Sequence, residues 1–185
     1  MQSVKLSQKF LNSELTIRTA TAGDAKILSA WWNDGKIMEH AGFPLGVGTT
    51  EDKVKGKNIA TISSNKQLLI VEVDNKPVGE MNYKIDNNIA NFGIKICDVK
   101  YQGAGLGTKL LTMLFNHLFF TLNCNKITCD TNLKNIRAQH VYKDKMHMTQ
   151  TKTLVNCWTN QVGELQSTVF FELTKEDYLK EQNKV

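Results

Sequence analysis

The chain has 185 residues, enough for one compact domain with a full core and short for two. Hydrophobic residues make up 41% and charged residues 22%, the range of ordered globular chains, and the longest apolar-rich run, Leu110 to Leu122, is too broken by Thr112, Asn116, His117 and Thr121 to suggest a membrane span. The net charge of +5 comes from lysines spread along the chain without interleaved aromatics, so nucleic acid is not expected as a partner.

Residues 1–13 read as a polar leader, with Lys5 and Lys9 but no apolar signal core behind them, ahead of a single domain over 14–185. Leu15 to Ala20 alternates as a strand should. Asp24 to Trp32 and Asp34 to His40 read as helices, Gly42 to Gly48 as a loop, and Thr50 caps a helix from Glu51 to about Ser63. Three strands follow, Gln67 to Val73, Pro77 to Ile85 and Ile89 to Cys97, separated by the turns Asp74-Asn75-Lys76 and Asp86-Asn87-Asn88. Leu106, Leu110, Leu114, Leu118 and Leu122 then recur at helical spacing. A strand at Lys126 to Asp130, a helix from about Asn135 to Asp144, strands at Met148 to Cys157 and Gln166 to Leu173 and a short charged helix after Thr174 complete the order. This is a mixed α/β layer structure with a mostly antiparallel sheet flanked by helices.

The four cysteines, Cys97, Cys124, Cys129 and Cys157, form no Cys-x-x-Cys pair and read as core or near-core residues in a reducing cytoplasm. His40, His117, His140 and His147 lack metal-ligand spacing, so no metal is expected.

The sharpest local signal is Gln102-Gly103-Ala104-Gly105-Leu106-Gly107-Thr108, between a strand and the long helix. Glycines let backbone amides approach a ligand closely, and the helix start adds unpaired amides and the positive end of a dipole. A nucleoside-triphosphate loop needs Gly-Lys-Ser/Thr, whereas Gly107-Thr108-Lys109 has the order reversed. A dinucleotide fingerprint needs Gly-x-Gly-x-x-Gly, and the spacing here falls one residue short. A helix start without a ligand would leave three destabilising glycines uncompensated.

The turn resembles the acetyl-CoA signature of the GNAT superfamily of N-acetyltransferases, Arg/Gln-x-x-Gly-x-Gly/Ala, and Asn135-Ile136-Arg137-Ala138-Gln139-His140-Val141-Tyr142 resembles that family's second motif, Asn-x-x-Ala-x-x-x-Tyr. The resemblance covers roughly residues 14–174 and implies a GNAT fold that transfers acetyl from acetyl-CoA to a primary amine, small molecule or protein N-terminus, by direct attack. It implies further that backbone groups of Ile94, Lys95, Ile96 and Cys97 pair with the pantetheine arm, that amides of Gln102 through Thr108 hold the pyrophosphate, and that Asn135 touches the arm. Tyr142 would lie near the sulfur as a proton donor. The family's usual Gly-Phe after this helix is replaced by Met146-His147, so the helix exit needs another turn. A cofactor-sensing module without catalysis is the alternative; the retained Tyr142 and Glu80 argue against it.

Attack by an amine requires a base. Alternation puts Glu80, Asn82 and Lys84 on one face of their strand, which makes Glu80 the first candidate, Asn82 its partner and Asp98 the second candidate; a solvent-facing carboxylate is the competing reading of Glu80. The aromatic segment Trp31 to Phe43 is expected to wall the acceptor site, with one of Trp31 and Trp32 in the core and the other at the site, Asp34 or Glu39 attracting a cation, and Phe43 nearby. The expected partner is a small-molecule or peptide amine; no membrane is expected, and a homodimer is possible.

Overall fold

The computed structural model describes residues 3–183. Its strands are β1 (Lys5–Phe10), β2 (Ser13–Thr19), β3 (Lys66–Val73), β4 (Lys76–Asp86), β5 (Ile89–Ile96), β6 (Lys126–Asn132), β7 (Thr149–Thr159) and β8 (Leu165–Thr174). The helices are α1 (Ala25–Trp32), α2 (Gly35–Met38), α3 (Glu51–Lys53), α4 (Leu106–Asn116), α5 (Ile136–His140) and α6 (Lys175–Gln182). One sheet holds all eight strands in the order β1-β2-β3-β4-β5-β6-β8-β7, and its neighbours are antiparallel except for β5 and β6.

Within the stretch read as a polar leader, Lys5–Phe10 form the edge strand β1, registered residue for residue on β2 from Lys5↔Arg18 to Phe10↔Ser13. Its apolar signal is thin because only Leu6 and Phe10 pack on the core, while the positions between them face solvent. An edge strand held by main-chain bonds needs no more.

The periodic leucines do build the central helix: Leu106, Leu110, Leu114 and Leu118 are at most 1% exposed. The α-helical part stops at Asn116, however, and the chain continues as a wider π turn over His117–Thr121, closed by Leu122 N–H donating to the His117 carbonyl. A second π turn, Val141–Lys145, extends α5, and α3 runs through a third at Val54–Asn58.

The sheet's two faces carry separate cores. Leu69, Val71, Met81, Tyr83 and Phe92 join α4 in the larger one. Leu68 and Ile70 join Leu28 of α1 and Val54 in the smaller, with Trp31 and Trp32 packed against it. Arg18 on β2 ties this second layer down: its Nη atoms donate to both carboxylate oxygens of Asp24 at 2.8 Å and its Nε to Glu72 at 2.9 Å. Burial works against the Asp24 charge, but bonds from Arg18 and Thr21 outweigh it and hold the carboxyl below its usual range.

Candidate active site

Beyond Asp98, whose Oδ1 accepts from Lys100 N–H, a single 3-10 turn leads into the glycine segment. Gly103 (φ +89°) and Gly105 (φ +81°) both adopt the left-handed conformation, and a Cβ on either would meet nothing of the chain within 4 Å. These glycines therefore serve backbone shape and an open approach. Lys109 N–H donates to the Gly105 carbonyl, so the preceding amides of α4 have no intrahelical acceptor and point at the open space. Gln102 is clamped from both ends: its Nε2 donates to the Ile96 carbonyl at 2.8 Å, and its Oε1 accepts from Arg137 Nη1 at 2.7 Å. Arg137 thus brings a guanidinium to the lip of the turn. Its place in the second motif was visible in the sequence, but its contact across 35 positions was not.

β5 and β6 run parallel for three pairs only, Ile89↔Lys126 to Asn91↔Thr128, and then separate, while β5 stays on β4 to Gly79↔Ile96. The edge of β5 that opens is the one expected to take an amide-bearing arm. Cys97 N–H donates to the Val78 carbonyl, and by antiparallel alternation the backbone of Lys95 also faces β4. Of the four residues Ile94 to Cys97, Ile94 and Ile96 are the ones whose main chain faces the gap, and the Ile96 carbonyl is already engaged by Gln102.

Glu80 is 2% exposed, which removes the solvent-facing reading. Its Oε1 accepts from Lys95 Nζ, its cross-strand neighbour, at 3.0 Å, and its Oε2 has no partner. A buried polar atom left unpaired costs about 1–3 kcal/mol, so the site favours a donor there. Glu80, Asn82, Lys84 and Lys95 line a cavity of about 350 Å³ together with Trp32 and Met38.

Asn135 is the N-cap of α5, its Oδ1 accepting from Ala138 N–H at 3.2 Å while its Nδ2 donates to Thr131. One amide proton remains for another contact. Tyr142 is 6% exposed, its ring edge-on to Phe92 of β5 and Phe171 of β8. Burial, with Cys129 and Asp130 adding to it, pushes the phenol well above its ordinary pKa. Phe92 lies on the α4 face of the sheet, whereas Glu80 lies on the opposite one, so Tyr142 and Glu80 are on opposite faces of the sheet. The helix exit is solved without glycine: His147 takes the left-handed conformation (φ +54°), and Met148 N–H returns to the Tyr142 carbonyl. Nonglycine residues adopt this conformation at a modest cost.

The aromatic segment is only partly brought to the cavity. Both tryptophans are half-buried against the smaller core, rather than one inside and one out, and Trp32 lines the cavity. Asp34 caps α2 through Lys36 N–H, Glu39 is exposed beside His40, and Phe43 is 38% exposed; none of the three lines the cavity. The third tryptophan, Trp158 of β7, lies where a side chain on Gly42 would be, and its Nε1 donates to Thr168.

Cys157 is exposed on β7, unlike the core or near-core position expected of it, while Cys97, Cys124 and Cys129 are buried. Burial pushes the Cys97 thiol up to about 12, keeping it protonated at neutral pH, and raises Cys124 and Cys129 as well. In a native thiol titration with an aromatic disulfide, one fast equivalent is expected, lost in Cys157→Ser; several fast equivalents would contradict this packing. Among the described residues no cluster of three potential metal ligands occurs and no helix is long and apolar enough to cross a membrane.

A mostly antiparallel sheet that splits between two central parallel strands, with a glycine turn feeding a helix at the split, is the frame of an acyl-CoA-dependent acyltransferase. The model of the acetyltransferase (GNAT) domain matches residues 14–148, and the chain belongs to that family. It is an acetyltransferase that uses acetyl-CoA. Spermidine N-acetyltransferase from Vibrio cholerae, solved with CoA and spermine, superposes with a TM-score of 0.78 at 23% identity over 89% of this chain and 98% of its own. A probable acetyltransferase gives 0.77 at 18% identity over 93% and 98%. At these identities the likeness is one of fold. No curated protein matches the chain significantly in sequence.

Proposed function

We propose that the enzyme acetylates a primary amine by direct attack within a ternary complex, with Glu80 as the base and Tyr142 as the acid. The observation that carries this reading is Glu80: a carboxylate 2% exposed, tethered through one oxygen to Lys95 and unpartnered at the other, in a cavity beside the strand that splits from β6. Acetyl-CoA, when bound, supplies an activated acetyl thioester. The amides of Gln102 to Thr108 and the Arg137 guanidinium hold its pyrophosphate, the main chain of Ile94 and Ile96 orients its arm, and Asn135 supplies one further amide proton.

Glu80 Oε2 takes the proton that the acceptor's ammonium must lose before its nitrogen becomes a nucleophile, directly or through one water. Asn82, the next residue on that face, orients the amine. Tyr142, kept protonated by burial, gives its proton on the far side of the gap where the sulfur departs. The cavity's size suits a small amine or a single N-terminal residue. Polyamines, the acceptor class named for the Vibrio cholerae structure, enter the same test.

That test is a panel of amines assayed for release of the CoA thiol; no release with any of them would refute the reading. Tyr142→Phe should lower kcat by about 100-fold with the KM for acetyl-CoA little changed. Unchanged turnover would leave the phenol as packing between Phe92 and Phe171.

A further inference from the structure

The face of the sheet that carries Glu80 presents its side chains in rows across β3, β4 and β5. Ile70, Glu80 and Lys95 form the first row, Leu68, Asn82 and Gly93 the second, and Lys66, Lys84 and Asn91 the third. Lys66 and Lys84 are therefore directly opposite one another, both at the cavity. Like charges at directly opposed positions repel, because their Cβ atoms lie roughly 5 Å apart. Among the described residues neither is in an ion pair: Lys66 Nζ donates to the Thr61 hydroxyl at 3.0 Å, and Asp86, the next side chain after Lys84 on that face of β4, pairs with neither lysine and does not line the cavity. Glu80 is the one acidic residue lining the cavity among those described, and Lys95 already pairs with it. Charge inside the cavity is thus positive at the third row, with a buried proton acceptor at the first. Asn82 lies between them, its amide spread over Gly93 where a side chain would collide with it at 2.8 Å. Two strand steps separate neighbouring rows, so the first and third are roughly 13 Å apart along β4, a span that two flexible lysines shorten.

We propose that the acceptor is a primary amine bearing an anionic group, carboxylate or phosphate, at its far end, held by the facing ammonium groups of Lys66 and Lys84 while Glu80 meets the amine. This rests on the acetyltransferase reading above and narrows its substrate. It disfavours polyamines, whose distal cations would meet two facing lysines at the exposed end of the cavity.

The discriminating experiment compares acceptors of similar length on the full chain with acetyl-CoA saturating: δ-aminovalerate, aminobutyl phosphate, pentylamine, cadaverine and spermidine. Either anion-tailed amine should exceed pentylamine in kcat/KM by about tenfold or more, with cadaverine and spermidine lower still, and the better of the two identifies carboxylate or phosphate as the anion. Lys84→Glu should invert the order, raising KM for the anionic acceptor and lowering it for cadaverine, with the KM for acetyl-CoA unmoved. Equilibrium titration of the unliganded protein with δ-aminovalerate and cadaverine should show the same inversion without any turnover. Preference for spermidine or pentylamine in the wild type, or an order that Lys84→Glu leaves intact, overturns this inference while leaving the acetyltransferase reading standing. Absence of thiol release with every amine overturns both.

Discussion

Glu80→Gln is expected to lower kcat by two to four orders of magnitude near neutral pH, with acetyl-CoA binding unaffected (about 10²–10⁴-fold). The substitution is isosteric, and the amide oxygen can still accept from Lys95 Nζ, so the wall of the cavity keeps its shape. What disappears is the basic oxygen that has no partner in the folded chain. Lys95 is 28% exposed, so water can compensate the ammonium once the carboxylate is gone, and the melting temperature should change little. Raising the pH supplies free amine without help, so the deficit should shrink as the acceptor's own pKa is approached. A deficit that stays constant with pH would assign Glu80 to orienting the acceptor rather than deprotonating it. Wild-type turnover in the variant would move the base to water or to Asp98, whose carboxylate is already used to cap the turn at Lys100.

Gly105→Val should abolish the stabilisation that acetyl-CoA confers. At about 100 times its dissociation constant a ligand contributes roughly 2.7 kcal/mol, which for a domain of this size corresponds to about 5–10 °C in Tm. Gly105 has φ +81°, which costs an L-residue about 1–2 kcal/mol and a β-branched one more. Its Cβ would touch nothing of the protein, so the fold absorbs the change while the space kept open for a ligand is filled. Gly163→Val is the matching control. That glycine has φ +85° and equally empty surroundings, but it lies in the turn between β7 and β8. Both variants should melt somewhat lower, and the Gly163 variant alone should keep the acetyl-CoA shift. If Gly105→Val kept it too, the cradle would have to lie elsewhere.

Much of this site was readable along the chain because its signals are local. The glycine spacing predicts a strand-to-helix turn with open amides, and the left-handed Gly103 and Gly105 supply the geometry. Alternation places Glu80, Asn82 and Lys84 on one face of β4, as the strand register shows. Asn135 caps its helix as its position before Ile136 suggests. The losses are equally physical. The edge strand β1 escapes notice because main-chain pairing, rather than an apolar pattern, holds it. The π turns at His117 and Val141 leave no mark in a periodicity that simply continues through them. Asp34 and Glu39 look like a cation site in a linear reading; in the fold Asp34 also caps α2 through one carboxylate oxygen, and Glu39 is exposed beside His40.

From sequence alone come the family, the cofactor and the glycine turn, since each depends on groups within a few positions of one another. Cross-strand register belongs to the tertiary structure: it pairs Glu80 with Lys95, sets Lys66 against Lys84, and brings Arg137 to Gln102. Those juxtapositions join segments separated by 15, 18 and 35 positions, and no local pattern encodes which residues of two strands will stand opposite. The glycine turn is therefore legible in one dimension, whereas the charge around the Glu80 cavity exists only once β3, β4 and β5 lie side by side.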